Sequence, residues 1–195
     1  MNKEVKVPIE VSARHLHLSQ EDVDTLFGKN YQLTNKRELS EKGFFVAEEC
    51  VTVVGKKASA RFGILTPLRR QTQVEMAISD AIKLGIDVCM RMSGDLRGSA
   101  GCTLKGPNGE IELKEGVIIA KRHIHMDTDQ AAELGICDND EVSVKIEGDR
   151  GVIFDHVVVR IDPIFDNTTM HIDTDEGNAT NINNKNLTYG VLIKK

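Results

Sequence analysis

The sequence contains no tryptophan and has only two tyrosines and six phenylalanines. Proteins that bind single-stranded nucleic acids stack the bases on aromatic side chains, so this composition argues against that class. Acidic residues outnumber basic ones, 30 to 25, for a formal net charge of -5, and the basic residues form no continuous stripe along the chain. A nucleic-acid surface is therefore not expected, although a local basic pocket for a small anion is compatible with this charge.

The sequence also lacks long apolar runs and clustered cysteines. No run approaches the ~18 apolar residues that a membrane helix needs, and the start, MNKEVKVPIEVS, lacks the apolar core of a secretory signal. We therefore expect a cytoplasmic protein with no membrane partner. Four cysteines lie too far apart in the chain for a zinc knuckle or a dense disulfide scaffold, which favours buried, reduced thiols. They are Cys50, Cys89, Cys102 and Cys137.

The clearest positive pattern is an internal repeat with the motif RHxH. The first copy contains Arg14, His15, His17 and Leu26, and the second contains, at the same spacing, Arg122, His123, His125 and Leu134. Each copy follows a strand-like apolar run, VPIEVS or GVIIA, and precedes a helix start. Ser19 with Asp22, and Asp127 with Gln130, stand at capping-box spacing. A repeat of this length indicates two related domains and not a solenoid.

The remaining patterns indicate mostly β-structure. Short β-branched or alternating segments end at glycine or charged turns, as in FFVAEECVTVVG, ASARFGIL and GVIFDHVVVRI. Helical patterns are few, namely SQEDVDTLFG, ISDAIKLG and TDQAAELG. Because a closed barrel leaves no open strand edges, the sequence predicts a mostly-β fold. We expect two small β-barrel domains that are related by the internal repeat and carry short capping helices.

The two HxH pairs suggest metal binding. In a strand, residues i and i+2 project from the same face about 7 Å apart, so each pair of histidines can converge on one ion. Neutral imidazole is a common zinc ligand. One such pair could be two surface histidines, but its duplication, which uses four of the six histidines, favours metal binding. Two histidines leave a zinc site incomplete, and the candidates for completing it are Glu75, His156 and His171.

Other polar segments are compatible with a site but do not establish one. His171 stands in the polar, turn-prone stretch TMHIDTDEGNAT, whereas the apolar strand pattern around His156 is more typical of a satisfied core or surface histidine. Arg69 and Glu75 in TPLRRQTQVEMA would lie ~20 Å apart in a straight strand, so they can act together only if the chain bends or coils. The segment SGDLRGSAG could cradle an anion with its backbone amides. It lacks the lysine and hydroxyl residue of a P-loop, which favours a simple turn.

Six segments, in order and spacing, resemble one family. They are VSARHLHLS, FVAEECVTVVG, ILTPLRRQTQVE, RMSGDLRGSAG, GVIIAKRHIHM and MHIDTDEGNA. The chain resembles the zinc-dependent phosphotransacylases of the propanediol-utilisation type, also called phosphate propanoyltransferases. The resemblance implies one barrel formed by residues 13–120 and a second formed by residues 1–12 and 121–195, so that the first strand is lent to the second barrel. It also implies two zinc ions near the domain interface.

The resemblance further implies roles for individual residues. It places His15 and His17 on one zinc ion, His123, His125 and His171 on the other, and Glu75 on both. Arg69 would bind phosphate, with Ser93 near the same centre. Positions that resemble coenzyme A contacts are Ser12, Leu65 and Asn178.

The chain departs from the family pattern at three places. Thr66 stands where glycine is usual, and Lys121 stands where a small residue is usual, and either could change how coenzyme A enters. Members that work inside bacterial microcompartments usually carry an amphipathic N-terminal extension, whereas only MNKEVK precedes the first strand here. We therefore expect a free cytosolic enzyme that handles acetyl groups in general metabolism.

The function implied is reversible transfer of a short acyl group, acetyl or propanoyl, between coenzyme A and inorganic phosphate, with Arg69, Glu75 and Ser93 as catalytic residues. One alternative is a binuclear metal-dependent hydrolase, because HIHMD fits the HxHxD opening of such sites, although Thr128 replaces the histidine that usually follows. Another is a non-catalytic module whose repeats are held together by zinc. A homodimer is the default for a soluble enzyme, and nitrogen and oxygen ligands are also compatible with cobalt or manganese.

Overall fold

A computed structural model describes residues 4–39, 43–182 and 186–193. The strands and helices in these ranges are, in chain order, β1 Val5–Ser12, β2 His15–His17, α1 Gln20–Phe27, β3 Asn35–Glu38, β4 Phe45–Val54, β5 Ser59–Leu65, β6 Gln73–Glu75, α2 Ile78–Leu84, β7 Cys89–Arg91, β8 Ala100–Lys105, β9 Glu110–Ala120, β10 His123–Met126, α3 Thr128–Leu134, β11 Glu141–Ile146, β12 Val152–Ile161, β13 Thr169–Asp173, α4 Thr174–Thr180 and β14 Thr188–Ile193.

The chain forms two compact units. One, which we call the continuous unit, is Ala13–Ala120. The other, the composite unit, combines the chain up to Ser12 with the part from Lys121 onward. Strand β1 therefore belongs to the composite unit, although it directly precedes β2 of the continuous unit in the sequence.

The continuous unit is built on a closed barrel with the strand order β4-β5-β2-β6-β9-β8, in which β8 pairs back onto β4. Strands β3 and β7 are additional and pair with β4 and β9, respectively. The core contains fully buried apolar side chains from every part of the barrel, among them Leu16, Phe62, Ile64, Val74 and Leu104. Burial of this apolar surface is the main stabilising contribution to the unit.

The composite unit is a second closed barrel, with the order β1-β13-β10-β12-β11-β14. Strand β1 closes it by pairing parallel with β13 and antiparallel with β14. Its core includes Val7, Ile124, Val144 and Met170, all fully buried. The two closed barrels confirm the predicted mostly-β fold class.

The two RHxH motifs occupy the same place in their barrels. Strand β2 runs parallel to β5 and antiparallel to β6. Strand β10 likewise runs parallel to β12 and antiparallel to β13. The internal repeat in the sequence therefore corresponds to a repeat in strand pairing, with β6 and β13 as equivalent neighbours.

Three of the four helices in the described residues match the predicted helical segments. The side-chain caps are also confirmed, since Ser19 accepts a hydrogen bond from the Asp22 amide and Asp127 accepts from the amides of Asp129 and Gln130. The fourth helix, α4, lies in the stretch TMHIDTDEGNAT, whose polar composition favours turns. It forms because the Asp173 and Glu176 side chains complete a capping box at its start. None of the helices in the described ranges is long and apolar enough to cross a membrane.

All four cysteines are free thiols, but the expectation that they are buried holds only for Cys102. Cys50 and Cys89 are half-buried, and Cys137 is exposed after helix α3. Burial raises the pKa of the Cys102 thiol to about 12, so this side chain stays protonated and packs as a small apolar group.

Candidate active site

The centre of the candidate site is the pairing of β2 with β6. These antiparallel strands place His15 opposite Glu75, Leu16 opposite Val74 and His17 opposite Gln73. Leu16 and Val74 are fully buried in the hydrophobic core of the barrel. Because directly opposed residues share a face and neighbours alternate, the side chains of His15, His17, Gln73 and Glu75 all lie on the other face.

Three of these side chains form a group suited to a metal ion. The ligand atoms of His15, His17 and Glu75 all lie within 4.8 Å of one another, and His15 Nε2 is 3.6 Å from Glu75 Oε2. The residues are buried, with 7%, 7% and 9% of their surfaces exposed. Two imidazoles and a carboxylate are a ligand set found in catalytic zinc sites. The donors present therefore fit a zinc ion.

The hydrogen bonds of the two histidines orient their rings so that Nε2 is available to a metal ion. His15 Nδ1 lies 2.8 Å from the Ala13 carbonyl oxygen, and His17 Nδ1 lies 3.3 Å from that of Pro67. Because a carbonyl oxygen can only accept, each Nδ1 donates, and Nε2 carries the lone pair of the neutral ring. Burial, together with the nearby Arg69 charge, lowers the pKa of His17 to about 3. His17 is therefore neutral near pH 7, as a metal ligand must be.

A polar network joins this group to Arg69. Arg69 Nη1 donates to Ser93 Oγ over 3.1 Å, and Ser93 Oγ donates to Glu75 Oε1 over 3.1 Å. The bend that the sequence requires for Arg69 to meet Glu75 is present, since residues 66–72 are irregular and contain several bends. The Arg69 amide also donates to the Leu18 carbonyl oxygen over 2.9 Å, which anchors this segment beside β2.

Gln73 is the residue of this network that the sequence analysis missed. It is fully buried, and its side-chain amide donates to both Glu75 Oε1 and Ser93 Oγ. A signal for it was present, because QVE alternates polar and apolar residues as β2 does. That alternation spans only three residues, too few to distinguish a strand from the irregular segment before it.

The glycine-rich segment 93–101 forms turns whose amides bond within the protein. The Gly94 amide donates to Gln73 Oε1 and the Gly98 amide donates to Glu115 Oε2, each over 2.8 Å. The Ser99 amide donates to the Leu96 carbonyl oxygen. The hydrogen bond from Gly98 holds the pKa of Glu115 below its usual value. These three amides already donate hydrogen bonds within the protein. The segment therefore forms the simple turns that the sequence favours and not an anion-binding cradle.

The composite unit carries a second group of histidines. The ring centroids of His123, His125 and His171 are 4.6 to 5.3 Å apart, and His125 stacks on Phe165 at 3.9 Å. His123 Nδ1 donates to the Lys121 carbonyl oxygen over 2.9 Å, just as His15 donates to the oxygen two residues before it. Three imidazoles also fit zinc, since catalytic sites with three histidines are common.

Strand register makes Glu75 and His171 equivalent. His15 is opposite Glu75 in one barrel, and His123 is opposite His171 in the other. Each HxH pair is thus accompanied by one further donor from the antiparallel neighbouring strand. The donor is a carboxylate in the continuous unit and an imidazole in the composite unit, so the two groups differ by one formal charge.

The arginine of each RHxH motif is held by an acidic residue and an aromatic ring. Arg14 pairs with Asp80 over 2.7 Å and lies over Phe62. Arg122 pairs with Glu176 over 2.8 Å and lies over Phe154. These contacts fix the backbone directly before each HxH pair, which explains why arginine belongs to the repeated motif.

The remaining predicted residues lie at the ends of elements or on the surface. Ser12 ends β1 opposite Asp173, Leu65 ends β5 opposite Val46, and Asn178 is exposed on α4. Their contacts with coenzyme A stay predictions. His156 lies outside both histidine groups; its side chain is 72% exposed and hydrogen-bonded to Glu141, so of the expected core or surface positions it occupies the surface one.

The two residues that depart from the family pattern, Thr66 and Lys121, have local structural roles. The Thr66 hydroxyl accepts a hydrogen bond from the Phe45 amide over 2.8 Å and donates one to the Phe45 carbonyl oxygen over 3.2 Å. It therefore ties the end of β5 to the start of β4. Lys121 contributes its backbone oxygen to His123, a contact that does not depend on its side chain.

Asp127, the acidic residue of the HxHxD pattern, caps a helix. Its Oδ1 accepts hydrogen bonds from the Asp129 and Gln130 amides over 3.0 and 2.9 Å. Its Oδ2 lies 3.4 Å from the Thr168 hydroxyl. A carboxylate used in this way is not placed as a hydrolase ligand, which weakens the alternative of a binuclear hydrolase.

Comparison with known proteins agrees with the geometry. The family model described as phosphate propanoyltransferase matches residues 8–183. The chain is 51% identical to a phosphate propanoyltransferase of Lachnoclostridium phytofermentans, over 90% of this chain and 83% of the relative. It is 46% identical to proteins of the same name from Thermotoga maritima, over 97% and 90%, and Listeria monocytogenes, over 98% and 89%.

Proposed function

Because the chain belongs to the phosphate propanoyltransferase family, we propose that it transfers a short acyl group, acetyl or propanoyl, reversibly between coenzyme A and inorganic phosphate. In one direction, acyl-CoA and phosphate give acyl phosphate and free coenzyme A. The protein is thus a transferase of the phosphotransacylase type, and the choice between acetyl and propanoyl depends on the packing of the acyl pocket.

This proposal rests on one observation, namely that hydrogen bonds connect a buried metal-binding group to an arginine. His15, His17 and Glu75 would hold one zinc ion, and His123, His125 and His171 would hold a second. Bound zinc would supply positive charge that attracts phosphate and polarises the thioester carbonyl. Arg69, linked to Glu75 through Ser93, would add a guanidinium group whose fork of N–H donors suits a phosphate.

The reaction requires no covalent intermediate on the protein. A phosphate oxygen attacks the thioester carbonyl carbon, the C–O bond forms, and the C–S bond breaks with coenzyme A leaving as a thiolate that takes up a proton. Arg69 binds and orients the phosphate, and this proximity supplies on the order of several kcal/mol of the catalysis. The Ser93 proton is directed at Glu75, so we assign Ser93 to holding Arg69 and Glu75 in place and not to nucleophilic attack.

The test is release of free coenzyme A thiol from acetyl-CoA and propanoyl-CoA, with and without phosphate. We expect release that depends on phosphate in the zinc-loaded protein and falls by at least about 100-fold in His123→Ala, since loss of one ligand disrupts the site. His156→Ala, which removes an exposed histidine, is the matched control and should keep full activity.

Other outcomes would favour the alternatives. Thiol release that does not need phosphate would indicate a metal-dependent hydrolase, in which water replaces phosphate as the nucleophile. Tight metal binding without any release from either substrate would indicate a module in which zinc only stabilises the fold.

A further inference from the structure

Gln73 occupies a buried position between the metal-binding group and the phosphate-binding arginine. It begins β6 opposite His17 and is fully buried. A buried side-chain amide is costly unless its donors and its acceptor are satisfied. In this protein each of them has a partner within the site.

The orientation of the amide follows from its partners. The Gly94 backbone N–H can only donate, so the atom that it meets at 2.8 Å must be the Gln73 oxygen. Gln73 Nε2 therefore faces the opposite way, where it donates to Glu75 Oε1 and to Ser93 Oγ, the latter over 2.9 Å. Reversing the amide would place its nitrogen against the Gly94 N–H and its oxygen against a carboxylate, and would break the contacts with Gly94 and Glu75.

These bonds decide which oxygen Glu75 presents to a metal. Its Oε1 accepts from both Gln73 Nε2 and Ser93 Oγ. Its Oε2 faces the histidines and lies 3.6 Å from His15 Nε2. The same amide donates to the Ser93 hydroxyl, which accepts a hydrogen bond from Arg69. Gln73 is therefore linked both to the metal-binding group and to Arg69.

We propose that Gln73 is a positioning residue that fixes the Glu75 carboxylate for metal binding and, through Ser93, holds Arg69 in place. The inference rests on the proposed function, because it requires that His15, His17 and Glu75 bind a metal ion. Gln73 itself touches neither metal nor phosphate and acts through Glu75 and Ser93. Groups that orient a metal ligand in this way typically change metal affinity by about 10- to 100-fold when they are removed.

The test compares Gln73→Met with Gln71→Met in the full chain. Methionine keeps the approximate length of the side chain but cannot donate a hydrogen bond. Gln71 is exposed, and its amide donates to Glu115, so it is a matched control two residues away. Both changes are made in a chain that also carries His123→Ala and His125→Ala, so that the zinc titration measures binding to His15, His17 and Glu75.

The measurements are zinc affinity, by competition with a chromophoric chelator, and the visible spectrum of the cobalt(II)-loaded protein. We expect Gln73→Met to weaken zinc binding by about 10- to 100-fold and to change the cobalt spectrum, because the carboxylate is no longer held in one orientation. Gln71→Met should have the same zinc affinity and the same cobalt spectrum as its parent. A merely structural role would lower the stability of Gln73→Met without altering the spectrum of the folded, cobalt-loaded protein.

The two possible failures are distinguishable. If the parent with intact Gln73 binds no metal, the proposed function fails. If the parent binds zinc and Gln73→Met binds it equally well, within about threefold, with the same cobalt spectrum, the role of Gln73 is overturned.

A measurement on the unaltered chain covers the case in which Gln73→Met does not fold. In nuclear magnetic resonance spectra, the Gln73 side-chain amide protons should exchange slowly with solvent and shift when zinc is added, whereas those of Gln71 should do neither. Fast exchange of the Gln73 amide, or no response to zinc, would overturn the proposal.

Discussion

Arg69 and Arg70 are adjacent arginines with different surroundings. Arg69 is half-buried and bonded to Ser93, whereas Arg70 is exposed. The sequence RR does not distinguish them, but only the first reaches the network that contains Glu75. A charged hydrogen bond in a buried site contributes about 1.5–3 kcal/mol, so the two positions should differ strongly in their effect on an anionic substrate.

We therefore predict that Arg69→Met raises the KM for phosphate by about 10- to 100-fold, which is the equivalent of that energy. The KM for acyl-CoA should change by less than about threefold, because in the proposed mechanism the guanidinium binds phosphate and not acyl-CoA. Steady-state kinetics with each substrate varied in turn would measure both. Arg70→Met is the control, and an equal effect of the two changes would contradict the assignment.

His17 shows how burial sets the charge of a side chain. Its pKa is lowered to about 3, first by burial and then by the charge of Arg69. In the unfolded chain an ordinary histidine titrates near pH 6.5. Between these values the unfolded state binds one more proton than the folded state at this residue, so folding stability rises with pH across this window and levels off above it.

For the metal-free protein, we predict that His17 lowers the free energy of unfolding by about 1 kcal/mol for each pH unit as the pH falls from 6.5 towards 3. Urea unfolding at pH 7.5, 6 and 5 would measure it. The slope should be reduced by that amount in His17→Gln. Equal slopes in the parent and in His17→Gln would show that His17 is not neutral in the folded state.

The strands that carry the candidate site are among the shortest in the protein. Strands β2 and β6 have three residues each, yet both lie inside a closed barrel with a neighbour on each side. Their neighbours fix them, with β5 beside β2 and β9 beside β6. Side chains on such central strands are held more rigidly than side chains on loops, which suits a site that must orient several donors.

Gly101 is one of the positions in the continuous unit where close packing requires glycine. A Cβ atom added to Gly101 in β8 would lie 2.2 Å from the backbone oxygen of Leu113 in β9. The contact is with backbone, so it cannot be relieved by turning a side chain. Gly63 in β5 offers a contrast, because a Cβ added there meets nothing within 4 Å.

We predict that Gly101→Ala destabilises the protein by about 1–3 kcal/mol through overpacking. Gly63→Ala should be neutral or stabilising by up to about 1 kcal/mol, because it lowers the entropy of the unfolded chain. Urea unfolding midpoints of the metal-free proteins would compare the two changes. Activity is not compared, because Gly63 lies opposite His15 of the metal-binding group. A Gly101→Ala protein as stable as the parent would contradict this packing.

The two barrels differ in how the chain supplies their strands. All six barrel strands of the continuous unit lie within Ala13–Ala120. The composite unit takes β1 from the start of the chain, and without it β13 and β14 would each lose a partner. An open barrel exposes unpaired backbone groups and apolar core.

We predict that residues 13–120 fold alone, with one cooperative urea transition, and bind about one zinc ion per chain at the His15, His17 and Glu75 group. Residues 121–195 alone should show no cooperative transition. Circular dichroism during urea titration and zinc analysis after gel filtration would test both. A cooperative transition in residues 121–195 would show that β1 is dispensable.

Several features followed from local sequence. Alternation of side chains along a strand puts both histidines of HxH on one face whatever the strand pairs with, so the metal hypothesis needed no tertiary information. Ser19 and Asp127 were predicted as helix caps because a cap bonds to amides two or three residues away. The resemblance to a family added roles, such as phosphate binding by Arg69, which spacing alone does not connect to the histidines.

Other features depend on which distant strands pair and in what register. Gln73 joins the site because β6 lies antiparallel to β2, and the equivalence of Glu75 and His171 appears only when the pairings of the two barrels are compared. Helix α4 forms through its capping box and not through an apolar stripe. Register is set by packing between segments far apart in the chain, so it is absent from any local pattern. Local sequence therefore specified the two histidine pairs, and strand pairing in the folded barrels specified what surrounds them.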